Sequence, residues 1–266
     1  MATEKNMCLH FNSQEARQLD FVMHEIHAAL ISINKSLQTV NDRNLSTPAG
    51  RNEIKEQIAN ALQCSDDINN HLNYWQMTNN ADYFKNACMH PQNLWGRFYK
   101  PNSYFQGIIR SKNLRYSVKK IGVSIIQDYI GYGVINAIAN IMLDNATKYA
   151  LEGSEILCEF EYDTAENLII SMENEGPYVA EEEIESLFAC GIRGENASQT
   201  GTRGSGYGLN FLKTLVEAHG GQAVIETSYS GLVNGIKYGT FRLSVALPPH
   251  SEREEYDDYD DDDFEE

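Results

Sequence analysis

No window of the 266 residues approaches the run of about eighteen apolar side chains that a membrane-crossing helix needs. The opening residues, MATEKNMCLHFNSQEARQ, lack the apolar stretch of a secretory leader. No membrane insertion and a cytoplasmic location are therefore expected. Paired cysteines are missing too: Cys8, Cys64, Cys88, Cys158 and Cys190 are odd in number, scattered, and include no C-x-x-C step. That excludes a disulfide framework and a thiolate metal site, and fits a reducing compartment. Basic charge is scarce, with 21 Lys and Arg against 38 Asp and Glu, a net of -17. A surface of that sign repels a phosphate backbone, so nucleic acid is excluded as the main partner.

What is present is unevenly distributed. The last residues, SEREEYDDYDDDDFEE (251–266), hold eleven acidic side chains and one arginine, a net of -10. Such a run cannot collapse on itself and reads as a disordered, solvated tail. The rest, in a chain 42% hydrophobic overall, suffices for one large domain or two small ones.

Apolar residues fall at Leu19, Met23, Ile26, Leu30, Ile33, Leu37 and Val40, in alternating steps of four and three. This heptad seam predicts a long helix. Pro48 and Gly50 break the pattern within 41–52, and a second stripe follows at Ile54, Ile58, Ala61, Ile68, Leu72 and Trp75, with Ser65 interrupting it. Two such helices joined by a short turn make an antiparallel hairpin. A lone hairpin leaves much of its seam in water, so a homodimer forming a four-helix bundle is expected. The alternative is a hairpin packed on the rest of its own chain.

The stretch MTNNADYFKNACMHPQ (77–92) loses periodicity and reads as linker. Beyond it, PNSYFQGIIRSKNLRYSVKK is expected to be helical from a cap at Asn102 or Ser103, IGVSIIQ to be a strand, and GVINAIANIMLDNATKYA a helix. Strands are expected around SEILCEFEYD, ENLIISMEN, QAVIETSYS and GTFRLSVALP. Helices on one face of a mostly antiparallel sheet form a two-layer sandwich, so the fold class is α+β.

The segment GTRGSGYGLNFLKTLVEAHGG (201–221) places Gly204, Gly206 and Gly208 at the door of an amphipathic helix that a glycine pair closes. Glycines there let backbone N–H groups approach an anion, and the helix end adds partial positive charge. The physical reading is a phosphate-binding loop. Glycine-rich turns before helices also serve purely structural ends. The pattern is no Walker loop, because Lys213 lies a turn inside the helix, and with no strand directly before it a dinucleotide fold is not favoured.

The company of this loop is more specific. NIMLDNATKYA (140–150), ENEGPYV (173–179), LFACGIRGE (187–195) and GSGYGL (204–209) stand in that order. They resemble the N box, first glycine box, phenylalanine box and second glycine box of the GHKL ATPases, and more narrowly those of bacterial sensor histidine kinases. The resemblance covers about residues 130–248 and implies a GHKL (Bergerat) sandwich that binds ATP with Mg2+. It makes Asn145 the Mg2+ ligand, a role suited to a carboxamide oxygen, and sets Lys148 and Tyr149 near the phosphates. Asn174 stands where the family has the Asp that reads the adenine amino group, so the acceptor is kept and the charge lost. Gly176 would permit close approach of the ring. Arg193 and Arg203 would lie in the lid, close to the terminal phosphate, with Gly204, Gly206, Gly208 and Leu209 forming the phosphate loop.

FVMHEIHAALISI (21–33) resembles the phosphoacceptor box, with His24 followed by Glu25. The heptad puts Met23 and Ile26 in the seam and His24 beside it, toward solvent. A neutral imidazole is a competent nucleophile near neutral pH, and Glu25 is the candidate base. Nothing in the family pattern marks His27. Departures from that pattern are Ile141 for the first Asn of the N box, Tyr178 for a glycine of the first glycine box, and Ala29 for the usual proline. Ala28 takes the place of the Thr or Asn that orients a hydrolytic water, so weak or no phosphatase action is expected.

The resemblance thus implies a two-component sensor histidine kinase that autophosphorylates on His24 from ATP and transfers the phosphoryl group to an aspartate of a response regulator receiver domain. A different reading is a degenerate GHKL module acting as a phosphotransfer or scaffold protein without ATP turnover. A third, a topoisomerase-like or mismatch-repair-like ATPase, lacks the transducer domain such proteins need. The expected organisation is a tail (1–12), a hairpin for dimerisation and phosphotransfer (13–78), a linker (79–92), an ATP-binding domain (93–250) and the acidic tail. No sensory domain is expected before the hairpin, so a separate sensor protein is one expected source of the signal.

Overall fold

The computed structural model describes residues 13–42, 47–80, 83, 87–202 and 204–250; the side chains of 13–21, 24, 25, 28, 42, 48, 63, 66, 67 and 70 lie outside that description. The expectations for the tails 1–12 and 251–266 and for Arg203 fall outside the described residues.

Two long helices come first, α1 (Ser13–Asp42) and α2 (Pro48–Asn79), and they lie against each other. Pro48, read from sequence as a breaker, instead starts α2. The Thr47 hydroxyl accepts a hydrogen bond from Gly50 N–H at 3.1 Å, and a proline in the first turn has no N–H that the helix would miss. Val22, Ser36, Ile54 and Ala59 are buried, whereas Met23, Leu30, Leu37, Ile58, Leu62 and Leu72 stay largely exposed.

At its far end α2 meets the second layer of the molecule. Tyr74, absent from the apolar stripe read off the sequence, is buried there, while Leu72 of that stripe is exposed. Strand β1 (His90–Gln92), the last three residues of the stretch read as linker, pairs antiparallel with β3 (Tyr129–Gly131). Helices α3 (Leu94–Tyr99) and α4 (Ser103–Ser111) are capped by Asn93 and Asn102. The expected continuation of α4 through RYSVKK is wrong: Asn113 adopts a left-handed φ of 52° and the chain turns into β2 (Arg115–Lys120). Tyr116 and Val118 there alternate with polar neighbours, which suits a pleated surface. IGVSIIQ is likewise no strand. It is an irregular loop in which only Ile126 is buried and Ile125 is 72% exposed.

The remaining elements are a 3-10 turn (Gly133–Asn136), α5 (Ala137–Tyr149), β4 (Glu155–Tyr162), β5 (Leu168–Pro177), the short α6 (Ile184–Leu187) and α7 (Glu195–Gln199), α8 (Gly208–Ala218), β6 (Gln222–Val233) and β7 (Ile236–Leu247). One five-stranded sheet runs β2-β4-β5-β7-β6, parallel only between β2 and β4. Its register aligns rows of inward residues across the strands: Phe160, Ile170 and Val245; Cys158, Met172 and Leu243; Ile156, Asn174 and Phe241. Against these rows pack Ile138, Met142, Leu143 and Ala146 of α5 and Phe211, Leu212, Leu215 and Val216 of α8, all buried. Helices on one face of a mixed sheet are the two-layer arrangement expected. Asn174 is the one polar side chain in the three rows named.

Candidate nucleotide site

A cavity of about 270 Å³ is lined by α5, α8, the inward face of β5 and the segments 192–197 and 204–207. Its size lies near the lower end of ligand sites, roughly 300–1,000 Å³. Its lining includes apolar side chains: Ile141, Pro177, Val179, Leu187 and Phe241. The lining also includes polar and charged side chains, Asp144, Asn145, Lys148, Tyr149 and Arg193, and the run from Gly204 to Leu209 that enters α8. This mixed lining suits a ligand with an aromatic body and an anionic tail.

The glycine loop is held by close packing. Gly206 has φ +77°, and a Cβ there would lie 2.6 Å from the Gly191 carbonyl carbon and from the Ile192 carbonyl oxygen. Only glycine fits that crossing. Gly204 faces the Tyr149 hydroxyl and the Arg193 guanidinium, and Gly208 is the first residue of α8. The first amides of that helix have no partner within the helix and carry its positive end.

Lys148 Nζ pairs with Asp144 Oδ2 at 2.5 Å, one helical turn away. Arg193 is neither a solvated surface residue nor wholly available to a ligand. Its Nη2 donates to the carbonyls of Ala197 at 3.2 Å and Thr202 at 2.8 Å, stapling the loop, while its Nε is buried with no partner among the described residues. Gly176 works by clearance: a side chain there would come within 2.9 Å of both the Tyr149 carbonyl and Asn174 Nδ2. Tyr178, which replaces a glycine of the first glycine box, is outside the cavity wall, its ring edge-on to Tyr229 at 5.5 Å. Asn174 is 3% exposed, lines the cavity, and has an Nδ2 without a hydrogen bond among the described residues. A buried donor left unmade costs about 1–3 kcal/mol, an amount a ligand acceptor can recover.

Of the residues expected from sequence, Asn145, Lys148, Tyr149, Asn174, Gly176, Arg193, Gly204, Gly206, Gly208 and Leu209 all line this one cavity. His24 and Glu25 lie on α1, their side chains outside the description. His71 and Tyr74 of α2 and Tyr104 of α4 also line the cavity, and no sequence motif marks them. Tyr74 is fixed there: its hydroxyl donates to Asn210 Oδ1 at 2.5 Å, its ring meets Phe211 edge-on at 5.2 Å, and Asn210 Nδ2 in turn donates to the Phe188 carbonyl at 2.8 Å. Burial, together with the neighbouring Cys190 thiol, pushes the Tyr74 phenol well above its ordinary pKa, so it stays a donor.

Comparison with known proteins agrees with this geometry. The model of the histidine kinase-, DNA gyrase B- and HSP90-like ATPases matches residues 134–249, which carry most of the cavity. Those residues form a domain of that ATPase family. Curated relatives of the domain include the adaptive-response sensory kinase SasA of Synechococcus sp. (strain JA-2-3B'a(2-13)), 28% identical over 45% of this chain and 31% of its own length. The probable sensor kinase SilS of Salmonella typhimurium is 36% identical over 33% of this chain and 18% of its own. The sensor histidine kinase WalK of Bacillus subtilis (strain 168) is 31% identical over 33% of this chain and 14% of its own. The matched regions thus span less than a third of these relatives. A solved structure of full-length ShkA in complex with AMPPNP shares the fold at TM-score 0.52 and 16% identity, over 89% of this chain and 46% of that one. No helix among the described residues is long and apolar enough to cross a membrane.

Proposed function

We propose that the chain is an ATP-dependent protein-histidine kinase of a two-component system, acting as a cytoplasmic homodimer. The observation that carries the reading is a single cavity lined by a helix-entrance glycine loop, Asn145, Lys148 and Arg193 together with apolar side chains and a buried amide whose Nδ2 has no partner among the described residues. Positive charge and backbone N–H groups suit the phosphates, and the apolar walls suit the base.

Phosphoryl transfer depends mainly on positioning and charge neutralisation. Leu209 and the glycines 204, 206 and 208 would place backbone N–H groups on the phosphates, with Lys148 and Arg203 adding charge. Asn145 would hold Mg2+, which when bound neutralises phosphate oxygens. A His24 ring nitrogen attacks the terminal phosphorus as the bond to the bridging oxygen breaks and ADP leaves. Glu25 accepts the imidazole proton. The phosphohistidine then donates to an aspartate of a response regulator receiver. In this organisation 13–78 is the dimerising hairpin, 79–92 the linker and 93–250 the ATP-binding domain, with a separate sensor protein as one source of the signal.

Incubation of the full chain with γ-labelled ATP and Mg2+ tests this. An acid-labile label is expected that His24→Ala and Asn145→Ala abolish and His27→Ala leaves intact. A label that survives His24→Ala, or none at all on a chain that binds ATP, overturns the assignment.

A further inference from the structure

The buried amide in the cavity wall bears on the choice of base. We propose that the site reads its purine through the donor and acceptor of Asn174 and therefore takes 6-oxopurine nucleotides, of the inosine and guanosine kind, on terms close to those of adenine nucleotides. The inference rests on the nucleotide reading above and extends it to the substrate class.

Asn174 belongs to the inward face of β5, in register with Ile156 on one side and Phe241 on the other. Pro177, Val179, Leu187 and Phe241 line the same cavity, and the neighbouring Gly176 contributes no side chain. The cationic groups and the entrance to α8 line the same cavity, and a ligand's phosphates belong with them. In the proposed pose the polar edge of the base faces Asn174.

On that edge adenine places an amino donor beside a ring-nitrogen acceptor. Hypoxanthine and guanine place a carbonyl acceptor beside a ring N–H donor, the same pair with the roles exchanged. A primary amide carries one donor group and one acceptor, whereas an ionised carboxylate carries acceptors only. The carboxylate accepts from the adenine amino group and turns its lone pairs on a 6-oxo group, which repels them. The amide serves either edge by exchanging its oxygen and nitrogen through a half turn of χ2, a broad and soft torsion. Among the described residues the Nδ2 group has no hydrogen-bond partner that would lock one orientation. Burial makes the match matter, since an unmade hydrogen bond at a site closed to water is not replaced by solvent.

The test uses the full chain and nucleoside diphosphates, which avoid turnover. ADP, IDP and GDP compete with a fluorescent nucleotide in Mg2+, and the ratio of dissociation constants is read. IDP isolates the 6-oxo group; GDP adds the 2-amino group. For the natural chain, IDP and GDP are expected within about tenfold of ADP, and Asn174→Asp should move the ratio at least about tenfold toward ADP. A preference of the natural chain for ADP of a hundredfold over both others overturns the inference, and needs no variant to fold. A well-folded Asn174→Asp with an unchanged ratio overturns it as well. If ADP binds and the 6-oxo nucleotides do not, the kinase reading stands alone; if none of the three binds, it is the nucleotide site that falls.

Discussion

His219 shows how a single buried side chain ties distant parts of the second layer. It caps α8, is buried, accepts from the Tyr132 N–H through Nε2 at 3.1 Å and hydrogen-bonds the Leu215 carbonyl through Nδ1 at 2.7 Å. That pattern requires the neutral ring with its proton on Nδ1. Burial lowers its pKa below the ordinary value near 6.5, the Leu215 carbonyl opposes the shift and the nearby His250 adds to it. With the folded pKa depressed, the unfolded chain binds the proton first as pH falls, so His219 favours the fold above about 6.5 and that contribution is lost progressively below it. Unfolding free energy measured between pH 7.5 and 5.5 should decline, and His219→Gln, which cannot charge, should flatten the decline while lowering stability throughout. An unchanged slope would assign the titration to other groups. Asn174 is the opposite case at this scale. Its alternation with Leu168, Ile170 and Met172 in ENLIISMEN put it on the inward face, legible from sequence, but that its amide is left without a partner is a fact of the packing.

At the scale of elements, the glycines of GSGYGL look interchangeable in sequence and are not. Gly206 sits at a left-handed φ against the Gly191 and Ile192 backbone, whereas a Cβ on Gly208 would make only an ordinary contact of 3.6 Å with Ile141 at the first position of α8. Gly206→Ala should therefore cost about 1–3 kcal/mol. Gly208→Ala should leave stability within about 0.5 kcal/mol, or raise it, because alanine is the better helix former. Thermal unfolding of the two variants checks the contrast, and equal losses would refute the packing account. The long inward and outward alternation of β4, β5 and β7 made those strands readable, as the helical spacing made α5 and α8 readable. Reading failed where local pattern and burial part company. Lys120, inward by register, is accommodated with its ammonium over the Trp95 ring at 4.8 Å, so β2 did not look like a strand. The apolar run IGVSIIQ looked like one but lies mostly open on the surface.

For the molecule as a whole, the wall of the cavity supplied by His71 and Tyr74 could not be read from sequence, because Tyr74 and Asn210 are 136 residues apart and neither stands in a recognisable motif. Their contact sets α2 against the nucleotide domain along one face, and that face is not the seam. The seam residues Leu30 and Leu37 are 47% and 51% exposed, and Met23, Ile58, Leu62 and Leu72 are exposed with them. So many large apolar side chains along α1 and α2 exceed the scattered singles of a monomer surface. A second copy carries the same stripe and would cover it isologously in the homodimer proposed above. Light scattering at micromolar concentration should then give twice 30.0 kDa. Leu30→Glu with Leu37→Glu buries two charges per chain in the bundle and should shift the particle toward 30.0 kDa, leaving ADP affinity within about threefold, since neither residue touches the cavity. A natural chain that runs as a monomer refutes the bundle. A double variant that loses ADP binding together with the dimer would instead mean that the second subunit helps to build the nucleotide site.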